Sequence, residues 1–358
     1  MRADLALIGF GNVARRFARV LVEKKAPLEN QYDLNVRIVA IATGQHGHAF
    51  HCDGLDAVRM AQHVEHGGAL AAMPEPGQRS PVSSLDCIEL LAATSAPLKV
   101  VVETTTLNIR DGRPAIDHVE GAIDAGCHVV TANKGPAAFA YRRLDVKARS
   151  KGVAFLFEGA VMDGIPIFNL VRETMPAVTV EAFRGVVNTT TNYIISMLES
   201  GAEFEPALAF MQQQGVAEAD ASLDIDGWDA ATKAAALANV LLGADVTPHD
   251  VKREGIGPAT GEAARAALRR GRRLRLVASG RRHATPQVSL RELAAVDLLA
   301  GVSGTANALV LQTDLLGEVA VTQLGGDLTQ TAYALLSDLV AIRRRLPVPL
   351  PASADRTP

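Results

Sequence analysis

Side chains capable of acid–base chemistry concentrate in one stretch of the second half of the chain. Asp229 and Lys233 stand four positions apart in the run WDAATKAAALANVLLG, so on a helix they share one face. A lysine held among carboxylates can deliver a proton to an oxygen on which negative charge develops during a reaction. The ordinary alternative for such a pair is a solvated salt bridge.

An acidic loop comes directly before this pair. Its carboxylates belong to Glu218, Asp220, Asp224 and Asp226. Such a density of negative charge suits a substrate that carries an ammonium group, although a hydrated surface loop is the ordinary explanation.

Two further candidates follow apolar runs that are typical of strands. Lys134 comes just after the run Cys127 to Thr131, and Thr104 comes at the end of the run that starts at Lys99. Ligands of doubly wound folds bind at the carboxyl ends of the strands. We therefore expect Lys134 and Thr104 at a ligand-binding edge, with a solvated lysine at a helix start as the alternative.

A glycine pattern lies close to the N-terminus. Gly9, Gly11 and Ala14 form G-x-G-x-x-A between an apolar run and a helical pattern, which is the context of a dinucleotide-binding loop. The glycines permit a tight turn and close approach of a pyrophosphate, and the helix N-terminus adds unpaired N–H groups. The residues expected to contact the cofactor here are Gly9, Phe10, Gly11, Asn12 and Val13. A glycine turn without a ligand is the alternative.

The sequence says less about the adenosine end of the cofactor. In NAD-binding domains an acidic residue near the end of the second strand usually binds the ribose. Here the second apolar run is followed by Thr43-Gly44-Gln45-His46. The missing acid favours NADP over NAD.

The order of elements in the first part of the chain predicts an α/β fold. The predicted strands are Asp4 to Phe10, Val36 to Ala42, Lys99 to Val102 and Cys127 to Thr131. Helical patterns follow from Asn12 to Lys24, through Ile116 and Ile123 to Gly126, and from Pro136 to Ala148. This alternation predicts a mostly parallel, doubly wound Rossmann sheet.

The second part of the chain has the pattern of a separate α+β domain. Its predicted strands are Val178 to Val187, Leu274 to Ala278, Leu309 to Thr313 and Glu318 to Gln323, and Asp229 to Leu242 is predicted to be a helix. We assign residues 1–157 to a nucleotide-binding domain, 158–322 to a substrate and dimerisation domain, 323–346 to a helix that returns to the first domain, and 347–358 to a disordered Pro-rich tail.

Composition excludes several classes of partner and compartment. With 48% hydrophobic residues in 358, the chain can bury a large core, and a net charge of -3 provides no field toward nucleic acid or an anionic membrane. A small-molecule partner is favoured. The widely spaced Cys52, Cys87 and Cys127 indicate neither a disulfide framework nor a cysteine zinc site. Neither a signal peptide nor a membrane-spanning apolar run is found, so we expect a cytoplasmic protein.

Several motifs together resemble the homoserine dehydrogenase family, over Ile8 to about Asp338. The matching stretches are Thr131 to Pro136, Glu158 to Pro166, Gly185 through Asn192-Tyr193-Ile194, and Glu218-Ala219-Asp220 through Asp224, Asp226 and Gly227 to Asp229 and Lys233. Two loops depart from the family, because Thr189 and Thr106 stand where glycine is usual. Glycine tolerates dihedral angles that threonine does not, so we expect loop geometry to differ there.

The resemblance implies roles for individual residues. The lysine that matches Lys233 is the family's proposed general acid/base, and the residues that match Asp229 and Glu218 help to bind substrate. Asp224 is a further candidate for the same cluster. The lysine that matches Lys134 lies between cofactor and substrate, which makes Lys134 a second catalytic candidate. Thr104 would contact the nicotinamide ribose.

The resemblance also implies a monovalent-cation site for Na⁺ or K⁺. Its ligands would be backbone carbonyls of Glu158, Val161, Asp163 and Ile165, and a tight Gly-Pro turn without an ion is the alternative. Gly325 matches a glycine stretch that returns to the cofactor, although Asp327 replaces a usual glycine.

The implied activity is NAD(P)H-dependent interconversion of L-aspartate 4-semialdehyde and L-homoserine, in the pathway to threonine, methionine and isoleucine, by a homodimer. Two alternatives stay open: a related dehydrogenase of another small amino or hydroxy aldehyde, and a dinucleotide-binding regulator without catalysis. Retention of Lys134, Asp229 and Lys233 argues against the regulator. The ACT module that follows the catalytic part in many relatives has no match here, so feedback through such a module is not expected.

Two other clusters are interpreted as structural. The histidines His46, His48, His51, His63 and His66 are expected in a surface loop rather than at a metal. The basic run Arg265 to Arg282 contains interleaved leucines and no aromatic residue, so it is expected to be a solvated face or an oligomer contact rather than a nucleic-acid surface.

Overall fold

The first sheet lies in the N-terminal half of the chain. The computed structural model describes residues 1–73, 76–214 and 220–346. The strands of this sheet are β1 (Arg2–Ile8), β2 (Asn35–Ala42), β3 (His48–Phe50), β4 (Leu98–Glu103), β5 (His128–Thr131) and β6 (Phe155–Leu156). Their order is β3-β2-β1-β4-β5-β6, and all neighbours are parallel except β2 and β3. The strand order reverses between β1 and β4, which places the ligand crevice beyond the carboxyl ends of those two strands.

Helices cover both faces of this sheet, which explains why its central strands are apolar on both sides. The helices of this half are α1 (Asn12–Glu23), α2 (Lys25–Tyr32), α3 (Ala57–Glu65), α4 (Ser84–Ala92), α5 (Ala115–Asp124), α6 (Lys134–Phe139) and α7 (Tyr141–Lys151). The buried side chains of α1, α2 and α3 pack on one face, and those of α4, α5 and α7 pack on the other. The doubly wound Rossmann prediction is therefore confirmed.

The second sheet is mostly antiparallel. Its strands are β7 (Val180–Val186), β8 (Lys252–Arg253), β9 (Arg272–Arg281), β10 (Gln287–Ala294), β11 (Asn307–Thr313) and β12 (Gly317–Gln323), in the order β12-β11-β7-β9-β10-β8. The helices between them are α8 (Thr189–Glu199), α9 (Phe204–Gln213), α10 (Ser222–Ile225), α11 (Trp228–Leu242) and α12 (Pro258–Arg269). Helices α8, α11 and α12 pack on one face of this sheet.

Helix α11 is buried on almost every side because it lies between the two halves of the molecule. Its run of alanines packs against both α6 and β9. The buried amide of Asn239 fixes the contact with α6, because its Nδ2 donates to the carbonyls of Ala137 and Ala138 at 3.2 Å and of Val246 at 2.8 Å. The end of α6 is thus tied to the last turns of α11.

The closing helix, α13 (Leu328–Arg345), packs on the first sheet. Its Leu335 and Leu339 are fully buried in the same cluster as Phe17 of α1. A capping box of Asp327 and Gln330 begins the helix. The predicted tail, residues 347–358, lies outside the described residues.

Several sequence predictions are wrong in detail. The single helix predicted from Pro136 to Ala148 is two helices, broken at Ala140, whose φ of -145° is not helical. Strand β1 ends at Ile8 rather than Phe10 because Gly9 turns with a positive φ. Among the unpredicted elements are α2, α3, α4 and β10.

The histidine cluster and the basic run also differ from expectation. His48 lies in β3 and His63 in α3, so the histidines do not share one loop. Arg275 is not on a solvated face: it is 1% exposed and donates to Glu199 Oε1 at 2.9 Å and to the carbonyl of Val302 at 2.7 Å. In the described part of the chain, no helix is long and apolar enough to cross a membrane.

Candidate active site

The turn after β1 closes against the turn after β4. Gly9 has a φ of +88°, and a Cβ there would lie 2.6 Å from the carbonyl carbon of Thr104. Thr104 Oγ1 donates to the carbonyl of Gly9 at 2.8 Å. Gly11, by contrast, has open space around its Cβ position, with no atom of the described residues within 4 Å. The two glycines therefore have different functions: Gly9 permits packing, and Gly11 leaves room for a ligand.

The N-terminus of α1 fits the pyrophosphate of NAD(P). Within the described residues no side chain caps this helix at Gly11, so the N–H groups of Asn12 and Val13 are open to a ligand. Their partial positive charge, together with the space beside Gly11, suits an anion. Phe10 is buried beneath the loop, so only its backbone is placed to line the cofactor.

Alanine substitutions separate these two roles. We expect Gly9→Ala to lower the free energy of unfolding by about 2 kcal/mol or more, because the methyl group meets backbone atoms at a positive φ. Gly11→Ala should change stability by no more than about 0.5 kcal/mol. It should still weaken NAD(P) binding roughly 10-fold, because the methyl group occupies the approach of the pyrophosphate. Thermal melting measures the change in stability, and a fluorescence titration measures the affinity for NAD(P). Unweakened binding in a folded Gly11→Ala protein would place the cofactor elsewhere.

Two lysines meet at one carboxylate between the halves of the molecule. Asp229, in the first turn of α11, has Lys233 Nζ 3.0 Å from Oδ2 and Lys134 Nζ 3.2 Å from Oδ1. Lys233 Nζ also donates to the carbonyl of Val187, beyond the end of β7, at 2.6 Å. The side chains of Asp229 and Lys233 are 15% and 14% exposed. This is a largely buried site rather than a solvated i,i+4 pair.

The charges at this centre stabilise one another. Burial disfavours the ionised carboxylate, but the ammonium groups of Lys233 and Lys134 outweigh it and hold the pKa of Asp229 well below its ordinary value. Burial likewise opposes the ammonium form of Lys233, yet the charges of Asp229 and Asp163 raise its pKa. Lys233 is therefore protonated at neutral pH and can act as a proton donor.

Asp224 joins the centre through an amide. Asn188 Nδ2 donates to Asp224 Oδ1 at 2.7 Å and to Asp229 Oδ2 at 2.9 Å. Burial and the negative charge of Asp229 raise the pKa of Asp224. The third predicted acid, Glu218, lies outside the described residues.

A buried carboxylate that the sequence analysis did not single out organises the loops after β4 and β5. Glu103 accepts hydrogen bonds from Thr105 N at 3.0 Å and Thr131 Oγ1 at 2.9 Å. Asn133 Nδ2 then donates to the carbonyl of Thr105 at 2.9 Å, and Asn133 caps α6, which begins at Lys134. The loop that carries Thr104 and the residue that precedes Lys134 are thus joined. The sequence signal available for Glu103 was its position at the end of a buried strand.

The glycine stretch before α13 lies beside the first domain. Gly325 is exposed, and Asp327 accepts from Thr329 N at the start of the helix. Arg16 of α1 donates to Thr329 Oγ1 at 3.2 Å. The start of α13 thus lies beside α1, whereas a Cβ at Gly325 would have Thr305 Oγ1 as its nearest neighbour, at 4.0 Å. A contact of Gly325 with the cofactor stays a prediction.

The segment predicted to bind a monovalent cation is a tight turn anchored by a buried acid. The Glu158 carboxylate accepts from the backbone N–H groups of Ile167, Phe168 and Asn169 at 2.5–2.9 Å. Among the described residues, nothing donates a hydrogen bond to the main-chain oxygens of Val161, Asp163 or Ile165. Free carbonyl oxygens suit a hard cation, so the donor set fits Na⁺ or K⁺.

The same turn is tied to α13 by a second buried acid. Asp338 accepts from Glu158 N at 2.8 Å and from Asn169 Nδ2 at 2.9 Å. Burial and the neighbouring Glu158 carboxylate raise the pKa of Asp338 from 3.8 to about 7. Between about pH 4 and pH 7, the folded protein thus holds a proton on Asp338 that the unfolded chain has released.

Stability should therefore depend on pH through Asp338. Its contribution to the free energy of unfolding is fully present below about pH 4 and is lost as the pH rises toward 7. The Tm of wild type minus that of Asp338→Asn is expected to fall by about 5 °C between pH 5 and pH 8. A constant difference over this range would show that Asp338 does not titrate there.

A cluster outside this centre has the donor types of a metal site. One ligand atom each from His51, Cys52 and Asp53 lie within 4.8 Å of one another. Both ring nitrogens of His51 are already engaged, because Nε2 contacts the carbonyl of Pro76 at 2.9 Å and Nδ1 accepts from Asp53 N at 3.1 Å. His51 therefore acts as a structural residue of this loop.

The fold and the centre define a dinucleotide-dependent oxidoreductase, and known proteins agree. Residues 9–158 match the NAD-binding domain of homoserine dehydrogenase, and residues 166–340 match the homoserine dehydrogenase model. The chain therefore belongs to the homoserine dehydrogenase family, whose members are oxidoreductases that act on a CH–OH group.

Individual relatives match almost from end to end. Homoserine dehydrogenase of Methanocaldococcus jannaschii is 38% identical over 95% of this chain and 98% of its own length. The NAD(+)-dependent homoserine dehydrogenase of Pseudomonas canavaninivorans is 33% identical over 95% of this chain and 96% of its own. The crystal structure of a putative homoserine dehydrogenase from Archaeoglobus fulgidus superposes with a TM-score of 0.82 at 30% identity, covering 95% of this chain and 99% of that one.

Proposed function

We propose that Lys233 carries the proton when this member of the family interconverts L-aspartate 4-semialdehyde and L-homoserine. The observation that supports this most directly is the geometry of its ammonium group. A lysine ammonium has three N–H donors, and two of them are directed to Asp229 Oδ2 and to the carbonyl of Val187. The third N–H is left for the substrate oxygen.

In the direction of reduction, NAD(P)H supplies a hydride to the aldehyde carbon. Lys233 donates one proton to the carbonyl oxygen as it becomes the hydroxyl of homoserine, and the neutral amine then takes a proton from water. Aldehyde, NAD(P)H and one proton thus give alcohol and NAD(P)⁺. Lys134, on the opposite oxygen of Asp229, is the second cation that stabilises the developing negative charge.

Asp224 is the acid best suited to bind the substrate's ammonium group. Its carboxylate faces the negative Asp229 with a raised pKa, so a cation that arrives beside it relieves like-charge repulsion. Glu218 belongs to the same proposal on the strength of the resemblance alone.

NADP is proposed as the preferred cofactor, although the relatives differ. One is named NAD(+)-dependent, and the structure of a hyperthermophilic archaeal homoserine dehydrogenase was determined in complex with NADPH. In this chain the turn after β2 is closed by Thr43, whose Oγ1 accepts from His46 N at 2.6 Å and donates to the carbonyl of Gly47 at 3.1 Å. A turn without a carboxylate does not repel a 2′-phosphate.

A monovalent cation at the carbonyls of Glu158, Val161, Asp163 and Ile165, a homodimer and a cytoplasmic location complete the proposal. The dimer enters the proposal through the family to which the chain belongs. All three cysteines are free thiols, which suits a reducing compartment. Light scattering tests the dimer, and activity in NaCl or KCl against choline chloride tests the cation.

The decisive assay mixes the purified protein with L-homoserine and either NAD or NADP and follows reduced-cofactor absorbance. We expect L-homoserine to be oxidised with either cofactor, and the kcat/KM to be higher with NADP than with NAD. Cofactor binding without turnover on any small hydroxy amino acid would indicate a regulator, and turnover on a different alcohol alone would change the substrate.

A further inference from the structure

Asn188 occupies the junction between α8 and the acidic centre. Every polar atom of its side chain is used: Nδ2 donates to Asp224 and Asp229, and Oδ1 accepts from Thr191 N at 2.8 Å and Thr191 Oγ1 at 2.9 Å. The residue is 6% exposed. One amide thus both caps a helix and bridges two carboxylates of like charge.

The two acids differ in how many partners they already have. Asp229 has three partners, because Oδ1 meets Lys134 and Oδ2 meets both Lys233 and Asn188. Asp224 receives Asn188 on Oδ1 and also interacts with the side chain of Thr190, but it forms no ion pair with a lysine in the described part of the chain. Asp229 therefore organises the lysines, and Asp224 has capacity left for an incoming cation.

Holding these acids side by side requires a donor between them. Each carboxylate repels the other, and the two N–H bonds of one amide nitrogen offset that repulsion without neutralising either charge. An amide anchored to the start of α8 cannot turn away, because its oxygen is committed to the helix cap.

We propose that Asn188 is a positioning residue that holds Asp224 toward the substrate's ammonium group and keeps Asp229 on the lysines. The proposal rests on the proposed function, since it assigns the substrate end that Asp224 meets. It separates a binding acid from an organising acid within one cluster.

Two substitutions of Asn188 distinguish its contact with the two carboxylates from its role as the N-cap of α8. Asn188→Ser keeps an oxygen that can cap α8, but its side chain is too short to reach both carboxylates. Asn188→Asp keeps the side-chain shape and the capping oxygen, but it presents an oxygen instead of an N–H donor to Asp224 and Asp229. Ser83→Ala is the matched control, because Ser83 Oγ caps α4 by accepting from Asp86 N at 3.1 Å, on a helix of the first domain outside the acidic centre.

We expect Asn188→Ser to raise the KM for L-homoserine roughly 10- to 100-fold while the Kd for NADPH stays within about 2-fold of wild type. Asn188→Asp should raise this KM at least as much, and Ser83→Ala should lower Tm without changing either constant. The proposal would be overturned if the KM for homoserine were unchanged in a folded Asn188→Ser protein. It would also be overturned if the KM for homoserine and the Kd for NADPH rose by the same factor. Absence of homoserine turnover in wild type would instead refute the proposed function.

Discussion

Lys233→Ala is expected to lower kcat for homoserine oxidation by roughly 10²- to 10⁴-fold, the range that general acid–base catalysis supplies. The substitution removes the ammonium group that Asp229 and the carbonyl of Val187 hold in place. The Kd for NADPH should change little, because the dinucleotide loop is built by other residues. Steady-state rates and a fluorescence titration measure the two quantities.

Lys233→Arg provides the matched control for charge. It keeps a cation beside Asp229, but a guanidinium does not give up its proton at accessible pH. If kcat stays low in Lys233→Arg and a small primary amine partly restores it in Lys233→Ala, the missing function is proton transfer. Undiminished turnover in Lys233→Ala would assign that transfer to another group.

The pH dependence follows from the raised pKa of Lys233. Reduction of the aldehyde needs the ammonium form, so its rate should be flat near neutrality and fall as the pH rises through this pKa. Oxidation of the alcohol needs the neutral amine, so its rate should rise over the same alkaline range. We expect the pH–rate profiles of reduction and oxidation to change in opposite senses over this alkaline range. Both changes should disappear in Lys233→Ala.

The sequence was sufficient for those parts of the site that depend on local spacing. G-x-G-x-x-A located the turn after β1, and the spacing of Asp229 and Lys233 placed both on one face of α11. What it could not supply is the contact of Lys134 with Asp229, which depends on how α6 docks on α11 through Asn239. Docking of two helices is a property of packing, and no short motif encodes it.

The missed elements have similar causes. Helix α3 has a narrow apolar stripe of Met60, Ala61 and Val64 beside polar residues such as His63. Its stretch was therefore interpreted as part of a histidine-containing surface loop. Asn188 was not singled out in the sequence, because its bridge to Asp224 joins residues that are adjacent only in the folded chain. The break between α6 and α7 at Ala140 could not be predicted, because no proline or glycine stands at that position.

Asp229→Asn is expected to lower kcat/KM by roughly 10²-fold, because it leaves two ammonium groups facing a neutral amide. Burial already opposes the charged form of Lys233, and only the nearby carboxylates overcome it. With the closest one neutralised, the pKa of Lys233 should fall. The rising limb of homoserine oxidation should therefore move to lower pH, and the falling limb of aldehyde reduction should move with it.

A double-mutant cycle with Lys134→Met tests whether Asp229 acts by balancing both lysines. If it does, Lys134→Met should partly compensate for Asp229→Asn, since removing one ammonium group relieves the repulsion that the first change created. The compensation should be visible in the pH profile as well as in kcat/KM, because the remaining Lys233 regains a more alkaline pKa. Additive losses, or an alkaline limb that does not move in Asp229→Asn, would mean that Asp229 contacts substrate directly instead of setting the charge of Lys233.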